Sequence, residues 1–109
     1  MYSIVIKIDP AKLLDANLDM RYALPDLIAE RSGNFIQDDG YDYALQSDAM
    51  LVYLTTDDLQ KTLPIVIDIV ENATVLGNCL KDAVIVAAGV YDDYAVVYPP
   101  DYEQPFKTD

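Results

Sequence analysis

Hydrophobic periodicity changes in a set order along this chain, and that order limits the folds open to it more than any single motif. Ile4, Ile6 and Ile8 alternate with Ser3, Val5 and Lys7, the period-two pattern of a half-buried strand. Asp9-Pro10 follows, a capping acceptor ahead of a proline suited to a first helical position, and predicts a short helical turn through Lys12-Leu13-Leu14. The period then lengthens. Leu24, Leu27 and Ile28 form the buried stripe of a helix over about residues 19–32, with Gly33 placed as its C′ residue.

The pattern returns to strands and repeats. Asn34-Phe35-Ile36-Gln37 predicts a strand entering a turn at Asp38-Asp39-Gly40, with Tyr41-Asp42-Tyr43-Ala44-Leu45 as its hairpin partner or an irregular segment. Met50 to Thr55 is apolar enough for a largely buried strand. Asp57, with Gln60 three residues on, predicts the cap of a second helix whose core stripe is Leu59, Leu63, Val66, Ile67 and Val70. Asn72 to Leu80 is expected to end that helix or form a second short one, broken at Gly77-Asn78. Ala83–Ala88 and Tyr94–Tyr98 then predict two strands, with Asp92-Asp93 near the tip between them and Pro99-Pro100 ending the sheet.

Strand runs punctuated by two helices predict an α+β domain. The expected plan is a single antiparallel sheet with two main helices on one face, a ferredoxin-like βαββαβ order with an extra C-terminal hairpin strand. The 109 residues suit one domain, taken as residues 1–100 with a tail over 101–109. Ala23-Leu24-Pro25-Asp26-Leu27-Ile28 also resembles Thr62-Leu63-Pro64-Ile65-Val66-Ile67, which agrees with a two-fold βαβ plan.

Charge narrows the function. Nineteen acidic residues against seven basic ones give a net charge of −12, and sixteen of the acids are Asp. Asp prefers caps and turns, so the charge is expected in loops and at element ends. Such a surface repels nucleic acid and anionic membrane and steers basic protein surfaces toward it. No apolar run approaches the ~18 residues of a membrane span, and the alternating N-terminus lacks the basic and long apolar regions of a secretory signal. A cytoplasmic location is expected.

Catalytic groups are scarce. The chain has no histidine, the commonest general base and metal ligand. Cys79 is the only cysteine and has no base in sequence to activate it, so it is expected to be a small, partly buried apolar residue. The four glycines form no phosphate loop, and the spacing around Gly40 fails that of a calcium loop. No enzyme, cofactor or metal site is expected.

Binding chemistry is better supplied. Of the nine tyrosines, six keep company with acidic residues, in Asp38-Asp39-Gly40-Tyr41-Asp42-Tyr43, in Tyr91-Asp92-Asp93-Tyr94 and in Tyr98-Pro99-Pro100-Asp101-Tyr102-Glu103. Tyrosine gives contact area at low ordering cost, and neighbouring carboxylates accept from Arg and Lys of a partner. Asp38, Asp39, Tyr41, Asp42, Tyr43, Tyr91, Asp92, Asp93 and Tyr94 are therefore the candidate partner-binding residues. Tyr2, Tyr53 and Tyr98 are expected to be ordinary strand residues.

The Asp39-Gly40-Tyr41-Asp42-Tyr43 segment, the strand at Met50–Thr55, the Thr56-Asp57-Asp58-Leu59 helix start and the apolar helix after it together resemble a group of small bacterial immunity proteins. These neutralise polymorphic or contact-delivered toxins, and the related pattern carries Trp where Tyr43 stands. The resemblance implies a cytoplasmic antidote that binds a toxin domain and blocks its active site; the net charge of −12 suits a partner with a basic active-site cleft. A phage or plasmid anti-defence protein acting as an acidic DNA mimic is the alternative from the same charge. A small-ligand-binding domain is the third.

Overall fold

The computed structural model describes residues 2–13, 19–44, 47–90, 93–102 and 104–106. Strand β1 (Tyr2–Ile8) leads through a 3-10 turn (Pro10–Lys12) to helix α1 (Met20–Arg31). Strands β2 (Ile36–Tyr43) and β3 (Met50–Thr56) precede helix α2 (Leu59–Asn72). A small hairpin of β4 (Thr74–Val75) and β5 (Asn78–Cys79) follows, then β6 (Val84–Val90) and β7 (Asp93–Tyr98).

The main sheet has the order β2-β3-β1-β6-β7, and every described pairing in it is antiparallel. Strands β1 and β2 run parallel with β3 between them, and β3 and β6 run parallel with β1 between them. These are the two split crossovers of the ferredoxin-like α+β fold, and β7 is the added C-terminal hairpin strand.

One face of the sheet carries the core. Ile4, Ile6 and Ile8 of β1, Val52 and Leu54 of β3 and Val84 and Val86 of β6 cluster with Met20, Leu24 and Ile28 of α1 and Val66, Ile69 and Val70 of α2. Each such burial contributes on the order of 1.5–3 kcal/mol. That scale explains why α1 forms. Asp19 makes no side-chain cap bond, and Pro25 sits inside the helix, a defect costing about 3 kcal/mol. Three buried side chains outweigh it. The helix stops where Gly33 (φ 63°) and Asn34 (φ 68°) turn left-handed, with Gly33 N–H donating to Glu30 O (3.2 Å) and Asn34 N–H to Ala29 O (2.9 Å). This is a Schellman end with Gly33 at the expected position.

Asp9 caps the 3-10 turn as its spacing predicts, accepting from Ala11 N–H at 3.0 Å. Leu14 lies outside the described residues. Helix α2 is capped one residue later than expected. Asp58, in extended conformation, accepts from Lys61 N–H at 3.2 Å, while Asp57 stays outside the helix. The fully buried stripe is Thr62, Val66, Ile69 and Val70, with Leu59, Leu63 and Ile67 half-buried at its margin. Pro25 and Pro64 are each the sixth residue of their helix. Yet Leu24 is buried and its counterpart Leu63 only half so, and the two helices present different faces.

Two local expectations are overturned. Residues 74–79 form a hairpin rather than a helix end, because Leu76 (φ 51°) and Gly77 (φ 80°) both take the left-handed conformation of a tight two-residue turn. Cys79 is consequently exposed, and Asn78 beside it is fully buried. Asp38-Asp39-Gly40 is not a hairpin turn either. It lies inside β2, and the connection to β3 closes further on, where Ala44 N–H donates to Ala49 O at 3.0 Å.

Val5, Leu51 and Ala87, on the face away from the described helices, are buried as well. Part of the tail lies here: Tyr102, Gln104, Pro105 and Phe106 line a cavity of about 220 Å³ with Lys7 and Ile85. The Phe106 ring meets Tyr94 edge-on at 6.0 Å. No described helix is long and apolar enough to cross a membrane.

Candidate functional site: a bulged edge strand and its tyrosines

The site begins with one extra residue. Asp38 pairs with Leu54 and Tyr41 with Val52, so Asp39 and Gly40 together stand opposite Tyr53. This is a β-bulge, and Gly40 takes the positive φ (94°) within it. Asp38 Oδ1 accepts from Gly40 N–H at 2.9 Å and helps hold the kink. Side chains alternate along a strand, so an extra residue moves everything beyond it to the opposite face. In unbroken pairing of the same residues, Tyr41 would stand against Leu51, on the face away from the helices. With the bulge, Tyr41 and Tyr43 join the helix side and meet the first turn of α1.

There they close around Arg21. Its guanidinium carbon lies 4.8 Å from the Tyr22 ring centroid and 4.9 Å from that of Tyr41. Its Nη1 donates to the Tyr43 hydroxyl at 2.6 Å. Tyr22 and Tyr41 pack edge to face at 5.8 Å, as do Tyr41 and Tyr43 at 6.0 Å. The hydroxyls are linked too. Tyr41 donates to Tyr22, which lowers the Tyr22 pKa, and Arg21 lowers it further; the same bond raises that of Tyr41. Hydrogen bonds to Tyr43 and then Tyr22 raise the pKa of Arg21. The rings are nonetheless open to a partner: Tyr22, Tyr41 and Tyr43 are 48%, 41% and 39% exposed.

The aspartates around them are exposed. Asp38 and Asp39 sit at the bulge. Asp42 pairs with Leu51 and so faces away from the tyrosines, its Oδ1 accepting from Tyr43 N–H at 2.8 Å. Five of the nine candidate residues thus share one edge strand, joined by Arg21 and Tyr22 from α1. Nothing near Arg21 in sequence signals that role, because its tyrosine neighbours on β2 lie about twenty residues away.

Asp93 and Tyr94 stand elsewhere. They open β7, the opposite edge of the sheet, four interstrand spacings or about 19 Å from β2. Tyr94 is half-buried against Phe106, and its hydroxyl has no hydrogen-bond partner among the described residues. Tyr91 and Asp92 lie outside the described residues. Tyr98 enters the core and donates its hydroxyl to Lys81 O at 3.2 Å; burial raises its pKa.

Among the described residues no group of three His, Cys, Asp or Glu side chains could hold a metal ion. A cavity of about 210 Å³ is lined by Lys7, Asp9, Lys12, Asp48 and Asp82 among others, and contains none of the candidate residues. Comparisons with protein-family models, with characterised proteins and with solved structures found no match for this chain.

Proposed function

We propose that this chain is a binding inhibitor of the immunity type, a cytoplasmic antidote that blocks the active site of a bacterial toxin domain and performs no catalysis itself. The observation that carries the reading is the patch of three half-exposed tyrosines held around Arg21 beside Asp38 and Asp39. Large rings fixed before contact lose little freedom on binding, which is how tyrosine hot spots gain affinity. The carboxylates and the net charge of −12 favour a partner with a basic cleft, as toxins acting on phosphate-bearing substrates have.

Co-expression with a toxin domain encoded in a neighbouring gene, where one is found, tests the reading. Wild-type protein is expected to restore growth, and a folded Tyr22→Ala/Tyr41→Ala/Tyr43→Ala variant is expected to fail. Full protection by the triple variant would remove the patch from the interface.

A further inference from the structure

We propose that the outer edge of β7 pairs antiparallel with β7 of a second copy of this chain across a two-fold axis, joining two five-stranded sheets into one. Strand β7 ends the sheet, and among the described residues no backbone group pairs with its outer side. Proteins normally blunt such edges with charge, proline or a bulge in the strand's middle. Strand β2 follows that rule, with Asp38, Asp39 and Asp42 and a central bulge. Strand β7 does not. From Asp93 to Tyr98 its sequence is Asp-Tyr-Ala-Val-Val-Tyr, with a charge only at its first position. Its bulge falls at Val97 and leaves Asp93 to Val96 regular. Ala95 is exposed, and Val90 beside the strand is 60% exposed.

Charge selects the occupant. A pairing centred on Ala95 sets Tyr94 against Val96 of the second copy and Asp93 against Val97. The two Asp93 carboxylates then stand about 14 Å apart along the strands, beyond a Debye length of about 8 Å at physiological salt. A similar pairing of β2 centred on Gly40 would set Asp38 against Asp42 of the second copy, a direct like-charge contact. A second copy offers the same backbone groups and, in this register, sets no charge directly against another. The remaining obstacle is long-range repulsion between two chains of charge −12. Salt screens it, so this association strengthens as salt rises.

Sedimentation of the full chain, at concentrations up to the millimolar range and at low and high sodium chloride, tests the proposal. The mass is expected to rise from 12.2 kDa toward twice that value with concentration, and further at high salt. Ala95→Glu, which opposes like charges across the axis, is expected to raise the dissociation constant by roughly tenfold. Gln37→Glu adds the same charge to β2 and is expected to leave it within a factor of about two. Circular dichroism melts confirm that both variants fold. A chain monomeric under every condition, or a dimer that Ala95→Glu leaves intact, would overturn the proposal.

Discussion

The two edges of the sheet are both bulged, both carry tyrosine and aspartate, and do opposite things with them. In β2 the extra residue falls mid-strand at Gly40 and turns Tyr41 and Tyr43 onto Arg21, leaving aspartates exposed along the edge. In β7 it falls at Val97 and turns Tyr98 into the core. The same device presents tyrosines at one edge and buries one at the other. What differs is which residue the bulge displaces and how much charge lies beside it, three aspartates in β2 against one in β7.

The most severe way to break the comparison is to remove β7. A Cβ on Gly89 would run into the backbone carbonyl of Asp93 across the hairpin, so Gly89→Ala is expected to cost about 3 kcal/mol in denaturant unfolding, at the upper end of ordinary substitutions. A variant as stable as wild type would show that the hairpin relaxes freely. Gly40→Val attacks the other edge. Valine at φ 94° is strained, and regular pairing that relieves the strain sets Tyr41 against Leu51, turns Tyr41 and Tyr43 to the opposite face and dissolves the Arg21 cluster, with an expected loss of about 2 kcal/mol. Amide and ring shifts at Arg21 and Tyr22 report the change by NMR, and unmoved Tyr22 signals would contradict it.

The smallest effect is electrostatic and sharpens the comparison. Tyr22 ionises below the ordinary tyrosine value of 10.0 and Tyr41 above it. A lowered pKa adds stability above the unfolded value that is lost as pH falls through the folded pKa. A raised pKa gives stability below the unfolded value that is lost as pH rises through the folded one. The two contributions therefore oppose each other across the alkaline window. Tyr41→Phe removes the bond that Tyr41 donates and is expected to move the Tyr22 transition back toward 10.0 in a phenolate absorbance titration. A Tyr22 transition that stays in place would rule out that bond.

Much of the fold was legible because it rests on periodicity. The alternation of Ile4, Ile6 and Ile8, the apolar run at Met50–Thr55 and the helical stripes identify elements whose burial dominates the energetics. The errors fall where one backbone angle decides. Gly40 next to two aspartates has the composition of a turn, and its positive φ serves a bulge instead. Leu76 takes a left-handed conformation that its side chain gives no reason to expect. Asp57 and Asp58 are equally good caps by composition, and the chain's entry into α2 selects the second. The candidate site was half legible for the same reason. Asp38 to Tyr43 could be named from local sequence, but Arg21 and Tyr22 reach it only through tertiary register, and the register also separates it from Asp93 and Tyr94.

The proposed partner binding belongs to the β2 edge, and isothermal titration of the proposed toxin partner against two variants tests this most directly. Tyr22→Ala/Tyr41→Ala/Tyr43→Ala is expected to weaken binding about a hundredfold or more, as loss of clustered hot spots does, while Asp93→Ala/Tyr94→Ala stays within about threefold of wild type. Equal losses from the two variants, or a larger one from the second, would contradict the account.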